Sequence, residues 1–496
     1  MSNQEETGKP ESYGGKVAIG AAFLVGTRFA VRLLGLVSVT ILARLLTPED
    51  FGVFGTAALA LSFFILLKDI GLGEALVRTQ DITRQDIDTL WTLGFITALV
   101  TAFLVFILAE PIAAFLKEPR IVEILHLMAL IPIIDSFYSP ASNLMVKDFK
   151  FAHIFILRSV DKFVRVIAVI ILALILKSYW ALVYGALMAS VFCVIVSHIA
   201  GPYMPRFTLV SRQKYLSFAF WTYWRSLARY IAITSDEFIV RASESSAFYG
   251  IYRVSRDLTR VLIVELISPI REALLPALVQ FSGDRQRTAN AVYNIVGIYL
   301  IGGISITLGI IAISDHLVLL LLGPQWTQAS YYLTLIAVGA ACNSMAEINQ
   351  SIFVSQNIAK QVAFFWGIRA VCYSLACLAG WTIGGAVGVA IAFSVISFIL
   401  LIIELRFLFR FIASDRQWPR LFIRPIISGI AMFYIVSLWP ENLIFPLALL
   451  TISKALVGAV VYFSSLLILW VGAGRPEGPE LTIIERLPSR IHRILL

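Results

Sequence analysis

Apolar runs long enough to cross a bilayer succeed one another along almost the whole chain, with short polar breaks between them. A helix needs about 20 apolar residues to span the hydrocarbon core. Lipid offers no hydrogen bonds, so such runs must satisfy their own backbone as helices. Fourteen candidate spans can be drawn, at roughly 17–46, 50–79, 86–113, 119–146, 150–176, 179–200, 212–241, 246–280, 287–320, 326–355, 360–384, 386–411, 420–439 and 444–473. The longest connection, 201–211, leaves no room for an inserted soluble domain. Only 14% of residues are charged and 59% are hydrophobic, where an ordinary soluble domain carries about 25% charge. This excludes a soluble enzyme, a disordered chain and a disulfide scaffold.

The four cysteines sit in apolar runs without CxxC spacing, and the five histidines are scattered. Neither a metal nor a redox cofactor is expected. A formal charge of +9 would suggest nucleic acid in a soluble protein. Here cytoplasmic loops and buried basic residues account for it, and no nucleic acid partner is expected. Residues Met1–Gly15 lack the features of a cleavable signal.

Loop charge orients the chain. With the N-terminus inside, the inner segments carry 21 Lys and Arg and the outer ones 5. The positive-inside rule then puts both termini in the cytoplasm.

The chain repeats itself at an offset of 198. Phe51-Gly52-Val53-Phe54 matches Tyr249-Gly250-Ile251-Tyr252, and Glu74-Ala75-Leu76 matches Glu272-Ala273-Leu274. Six spans separate equivalent points, so the halves are parallel repeats, whose interface is where substrate sites form. The expected architecture is all-α and polytopic. It has a cytoplasmic segment 1–16, six-helix bundles at 17–200 and 212–411, and a linker 201–211. Two further helices at 412–473 and a tail 474–496 follow; the tail alternates apolar residues with Arg486, Arg490 and Arg493, a pattern open to an interfacial or a solvated segment.

Ten basic residues cluster inside four spans: Arg28 and Arg32, then Arg158, Lys162 and Arg165, then Arg225 and Arg229, then Arg253, Arg256 and Arg260. Each costs about 2.5–3.5 kcal/mol at the bilayer centre. Facing lipid, they would together outweigh a fold stability of about 5–15 kcal/mol. Their three- and four-residue spacing makes one stripe per helix, so most must face protein or water. Neutralisation by Asp161, Asp236, Glu237, Asp257, Glu265 and Glu272 is the alternative, but six acids cannot cancel ten bases. A net cationic cavity for an anionic ligand is the expectation. Asp135, Glu347 and Glu404 have no basic neighbour in sequence; a helix-end position accounts for Glu404. Asp236, Asp257, Glu265 and Glu347 are candidate H+ or Na+ coupling acids. Pro269 and Pro276 are candidate hinges in span eight, and Pro132 and Pro140 interrupt span four.

The segment Arg28–Leu46 with Leu46-Thr47-Pro48-Glu49-Asp50-Phe51-Gly52, then Asp69-Ile70-Gly71-Leu72-Gly73-Glu74-Ala75-Leu76, Tyr249-Gly250-Ile251-Tyr252 and Leu322-Gly323-Pro324-Gln325-Trp326 resembles the Wzx-type polysaccharide flippases of the multidrug/oligosaccharidyl-lipid/polysaccharide exporter superfamily. The resemblance covers most of 17–410. It implies two six-helix bundles around a V-shaped cavity lined by spans one, two, seven and eight, with two extra helices. It implies a non-enzymatic carrier of undecaprenyl-diphosphate-linked oligosaccharide in the bacterial inner membrane, serving exopolysaccharide, capsule or O-antigen (lipopolysaccharide) synthesis. Membrane lipids, a polysaccharide polymerase and chain-length proteins are the implied partners. Span five departs from the pattern, since its stripe can face the cavity or a side opening. A lipid II flippase is the near alternative. An exporter of organic cations fits ten buried bases poorly, and a membrane polymerase would need a large catalytic loop.

Overall fold

The computed structural model describes residues 34–68, 82–141, 151–264, 285–355, 359–412, 418–440 and 446–485. Among the described residues all regular structure is helical. The first helices are α1 (Leu34–Leu45), α2 (Pro48–Lys68), α3 (Arg84–Phe115), α4 (Ile121–Met128), α5 (Leu130–Ser136), α6 (Phe151–Leu176) and α7 (Trp180–Ala200). After the linker come α8 (Arg212–Ser243) and α9 (Ser246–Thr259), which runs into a π turn at Arg260–Val264. Then follow α10 (Arg285–Ala312), α11 (Ser314–Leu321), α12 (Thr327–Ser355), α13 (Ala359–Phe411), α14 (Arg420–Ser437), α15 (Leu447–Gly472) and α16 (Pro479–Glu485). Seven helices among the described residues are long and apolar enough to cross a membrane. This is a multi-pass membrane protein.

Helix breaks have local causes. Span four divides into α4 and α5 after Met128, the residue whose carbonyl would accept from position 132, where proline has no N–H. Within α13, Gly384 and Gly385 leave helical geometry, the latter at φ 59°, a backbone state that favours glycine. The chain there doubles back as a hairpin. A methyl on Gly388 would lie 1.9 Å from the Gly380 carbonyl oxygen, so the two limbs touch backbone to backbone, as small residues allow in membranes.

The Thr47-Pro48-Glu49-Asp50 run starts α2. The Thr47 hydroxyl accepts from the Asp50 amide at 3.2 Å, and Asp50 accepts from the Thr47 amide at 3.0 Å. With proline at the first helical position this is a complete capping box. Ser245, 198 residues on, caps α9 by accepting from the Phe248 amide.

The linker lies against α3. Asp88 accepts from the Tyr203 hydroxyl at 2.9 Å and the Arg206 amide at 3.1 Å. Burial, then the bond to Asp88, pushes the Tyr203 phenol up to about 12. The start of the tail packs inward: α16 sits on α10, where a methyl on Gly297 would lie 2.3 Å from Pro479, and Glu480 meets Arg424 at 2.9 Å. Residues 486–496, with the tail's arginines, lie outside the described residues.

Candidate functional site

The repeat-related helices α2 and α9 cross at their N-terminal ends. A methyl on Gly52 would lie 1.7 Å from the Ser246 carbonyl oxygen, and one on Gly250 would lie 1.8 Å from that of Pro48. Adding 198 converts Gly52 to Gly250 and Pro48 to Ser246, so the two contacts are reciprocal, as a local two-fold relation requires. Only glycine permits this approach.

Side chains lock the crossing on the side that loop charge assigns to the outside. Arg253 donates to the Gly55 carbonyl at 3.1 Å. Arg241, only 3% exposed, donates to the Thr56 hydroxyl at 2.5 Å and the Ser246 hydroxyl at 3.1 Å, and lies 3.9 Å from Glu118. The Ser246 hydroxyl donates to Glu118. Glu118 also takes Arg120 at 2.6 Å, which reaches Glu49 at 2.8 Å. Burial pushes the Glu118 carboxyl up, but the bonds from Arg120 and Ser246 and the nearby arginine charges outweigh it, so it titrates below the usual carboxylate range. The Gly323-Pro324-Gln325-Trp326 turn adds a second lock: the Trp326 indole donates to the Ala43 carbonyl at 2.8 Å, and Gln325 bonds the Ala43 and Leu46 carbonyls. These caps satisfy carbonyls that the end of α1 leaves free. Arg44 completes it by donating to the Leu320 carbonyl at 2.7 Å.

The basic stripes divide by environment. Arg256 pairs with Asp236 at 3.0 Å and Glu237 at 2.6 Å; Arg253 lies 3.5 Å from Glu237 and 4.0 Å from Asp257. Tyr252 and Tyr249 donate to Asp236 and Glu237 at 2.7 and 2.9 Å. This part of the α9 stripe is a neutralised ion cluster joining α8 to α9. Arg229 is different. It is 54% exposed, meets Glu347 at 3.4 Å, and lies over the Trp366 ring at 5.7 Å. Arg260 is exposed on the π turn. On α6, Lys162 and Arg165 are exposed, and a methyl on Gly35 of α1 would lie 3.7 Å from the Lys162 amine, so this stripe borders span one. Arg28, Arg32, Glu265, Pro269 and Pro276 lie outside the described residues, as do the side chains of Arg158 and Arg225.

Two acids without basic neighbours in sequence have them in space. Glu347 pairs with Arg229. Glu404, assigned in sequence to a helix end, is 2% exposed and bonds Arg369 at 2.8 Å, itself 2% exposed. Arg369 also donates to Asn343 at 3.1 Å, and Tyr373 links Asn343 to Ser397. The partners sit on opposite limbs of the α13 hairpin, 35 residues apart, and on α12. Periodicity does not single out Arg369, because no other base stands three or four residues from it. Arg241, at the end of span seven, reads in the sequence as an outer loop charge.

The family model for polysaccharide biosynthesis proteins matches residues 41–331 of this chain. The chain belongs to the polysaccharide biosynthesis protein family. It is similar to the succinoglycan biosynthesis transport protein ExoT of Rhizobium meliloti, at 24% identity over 86% of this chain and 87% of that one. It is similar to the lipopolysaccharide biosynthesis protein WzxC of Escherichia coli, at 21% identity over 85% and 82%. Among solved structures it resembles the lipid II flippase MurJ in an inward closed conformation, with TM-score 0.76 and 13% identity over 92% of this chain and 100% of that one. An inward-facing MATE multidrug transporter matches with TM-score 0.57 and 12% identity over 78% and 98%. These structural likenesses establish the fold.

Proposed function

We propose that this family member is a flippase. It moves undecaprenyl-diphosphate-linked oligosaccharide units from the cytoplasmic to the outer leaflet of the bacterial inner membrane, for exopolysaccharide, capsule or O-antigen assembly. Both termini lie in the cytoplasm. Two six-helix bundles, 17–200 and 212–411, enclose the path, and helices in 412–473 pack outside them. No bond is made or broken.

The observation that carries this reading is the reciprocal, interlocked crossing of α2 and α9 in a family member. It is a closed outer door built from two halves of a repeat, the kind of two-state element alternating access needs. Below it, exposed Arg229 offers planar donors to a diphosphate. Arg28, Arg32, Arg225 and Arg260 extend the cationic path, and Arg158, Lys162 and Arg165 border it. Arg253, bonded to the Gly55 carbonyl, holds the door, and Arg256, held by acids, ties α8 to α9. Asp236, Asp257 and Glu347 exchange partners as the bundles rock, and an H+ or Na+ that competes for them would couple to the cycle. Pro269 and Pro276 supply bending in span eight. A polymerase and chain-length proteins take the product outside.

The test follows lipid-linked oligosaccharide in cells lacking the chain. The unit is expected to accumulate on the inner leaflet, to be cleared by the wild-type chain and to persist with Arg229→Ala at equal expression. Normal delivery without the chain, in cells with no other flippase, contradicts the reading.

A further inference from the structure

A furrow of about 780 Å³ runs between α8 and the first limb of α13. Trp224, Leu227 and Ile231 form one wall, and Phe364, Gly367 and Val371 the other. Each set follows a spacing of three then four residues, so each wall is one helix face. No lining residue carries charge. The rims face outward: Trp224 is 57% exposed and Phe364 67%. Gly367 holds the furrow open, since a methyl there would meet nothing within 4 Å. Its missing side chain serves neither a close helix contact nor a positive φ.

A charge stands beside this seam. Arg229 follows the furrow residue Ala228 directly, and the Trp366 ring beneath its guanidinium precedes Gly367. Furrow and exposed cation therefore border the same helix pair, one residue apart on each helix. The furrow's α13 wall begins five residues after the helix start at Ala359, about 7 Å along the axis at 1.5 Å per residue. With the termini inside, that end of the α13 wall lies in the inner half of the bilayer, while Trp224, twelve residues into α8, lies about 18 Å from the helix start, nearer the middle.

From this placement we infer that the furrow binds the isoprenoid chain of the diphosphate-linked carrier while Arg229 receives its anionic head. The inference rests on the flippase reading and adds a second contact to it. A head that must meet Arg229 has its tail within reach of the furrow, and the charge is complementary. A single furrow two helical turns long takes one chain; a phospholipid would leave its second chain outside. Holding the tail here would select prenyl diphosphates before the sugar is examined.

The test uses the full-length protein in nanodiscs and a polyprenyl diphosphate bearing a benzophenone on its chain, with labelled peptides mapped by mass spectrometry. Labelling is expected within 224–231 and 364–372, displaced by unlabelled polyprenyl diphosphate and not by excess phosphatidylglycerol. Gly367→Trp points into open space, so it should lower that labelling at least tenfold with an unchanged melting temperature. Gly367→Leu serves if the tryptophan lowers yield. Labelling confined elsewhere, unaltered by either variant, overturns the furrow. Equal displacement by phosphatidylglycerol also overturns it and marks a site for bilayer lipid. Neither result touches the flippase reading, which fails instead if the wild-type chain does not move lipid-linked oligosaccharide in the cell assay.

Discussion

At the residue scale, burial separates arginines that build from an arginine whose donors reach solvent. Arg369 and Glu404 are both 2% exposed and bond each other at 2.8 Å. Removing one partner of a buried pair leaves an uncompensated charge and costs about 3–5 kcal/mol. Glu404→Leu is thus expected to lower the melting temperature of purified protein sharply. The double change Arg369→Leu/Glu404→Leu should recover most of the loss, because apolar replacement of a whole pair is often neutral. Arg229 should behave oppositely. A half-exposed pair contributes about 0–1 kcal/mol, so Arg229→Ala should leave the melting temperature within a few degrees and still reduce transport more than tenfold. A large fall in stability with transport retained would reverse that assignment. The sequence shows both arginines as charges in apolar runs. It does not show Glu404 facing Arg369, since that pairing exists only once α13 folds back on itself.

At the element scale, the crossing of α2 on α9 decides which side is closed. Position 52 has no space for any side chain, because Ser246 backbone occupies it. Gly52→Val should force the two helices apart and bias the molecule away from the outer-closed state. A Glu118→Cys/Ser246→Cys pair, made with the four native cysteines replaced by serine, reads this out. A short thiol-specific, reducible cross-linker that spans the gap left by the shortened side chains should bridge the pair readily and stop transport until reduced, and its yield should fall with Gly52→Val. Rapid transport by the cross-linked protein would contradict a door at this place. Much of this element was legible beforehand: the 198-residue offset, the Thr47-Pro48-Glu49-Asp50 start and the Gly323-Pro324-Gln325-Trp326 turn all stood out as motifs. Their common purpose did not, because interlocking is a relation between segments up to 283 residues apart. Short breaks such as that after Met128 follow from proline chemistry and were visible in Pro132.

At the scale of the whole molecule, the α2–α9 crossing is held by a charge network, so its stability should depend on pH. Glu118 titrates below the usual range, so the folded, closed form favours its carboxylate. That contribution is fully present above the unfolded value of about 4.3. It is lost as pH falls through the lower folded value. The melting temperature of wild-type protein should therefore fall on acidification below about pH 4.3, and Glu118→Gln should start lower and lose less. Equal acid sensitivity in both proteins would remove Glu118 from the lock. The all-helical, multi-pass character was written in hydropathy. Which stripes face acids was not, since α8 carries Asp236 and Glu237 but only packing turns them toward Arg253 and Arg256.

The most direct measurement is translocation by the purified chain in liposomes holding a diphosphate-linked oligosaccharide in both leaflets. Periodate, added outside, destroys only sugar exposed there. With a working flippase the inner pool should be destroyed too, at a rate that scales with protein and falls more than tenfold in Arg229→Ala. An inner pool that stays protected at every protein density, with correctly folded protein present, would contradict the flippase assignment.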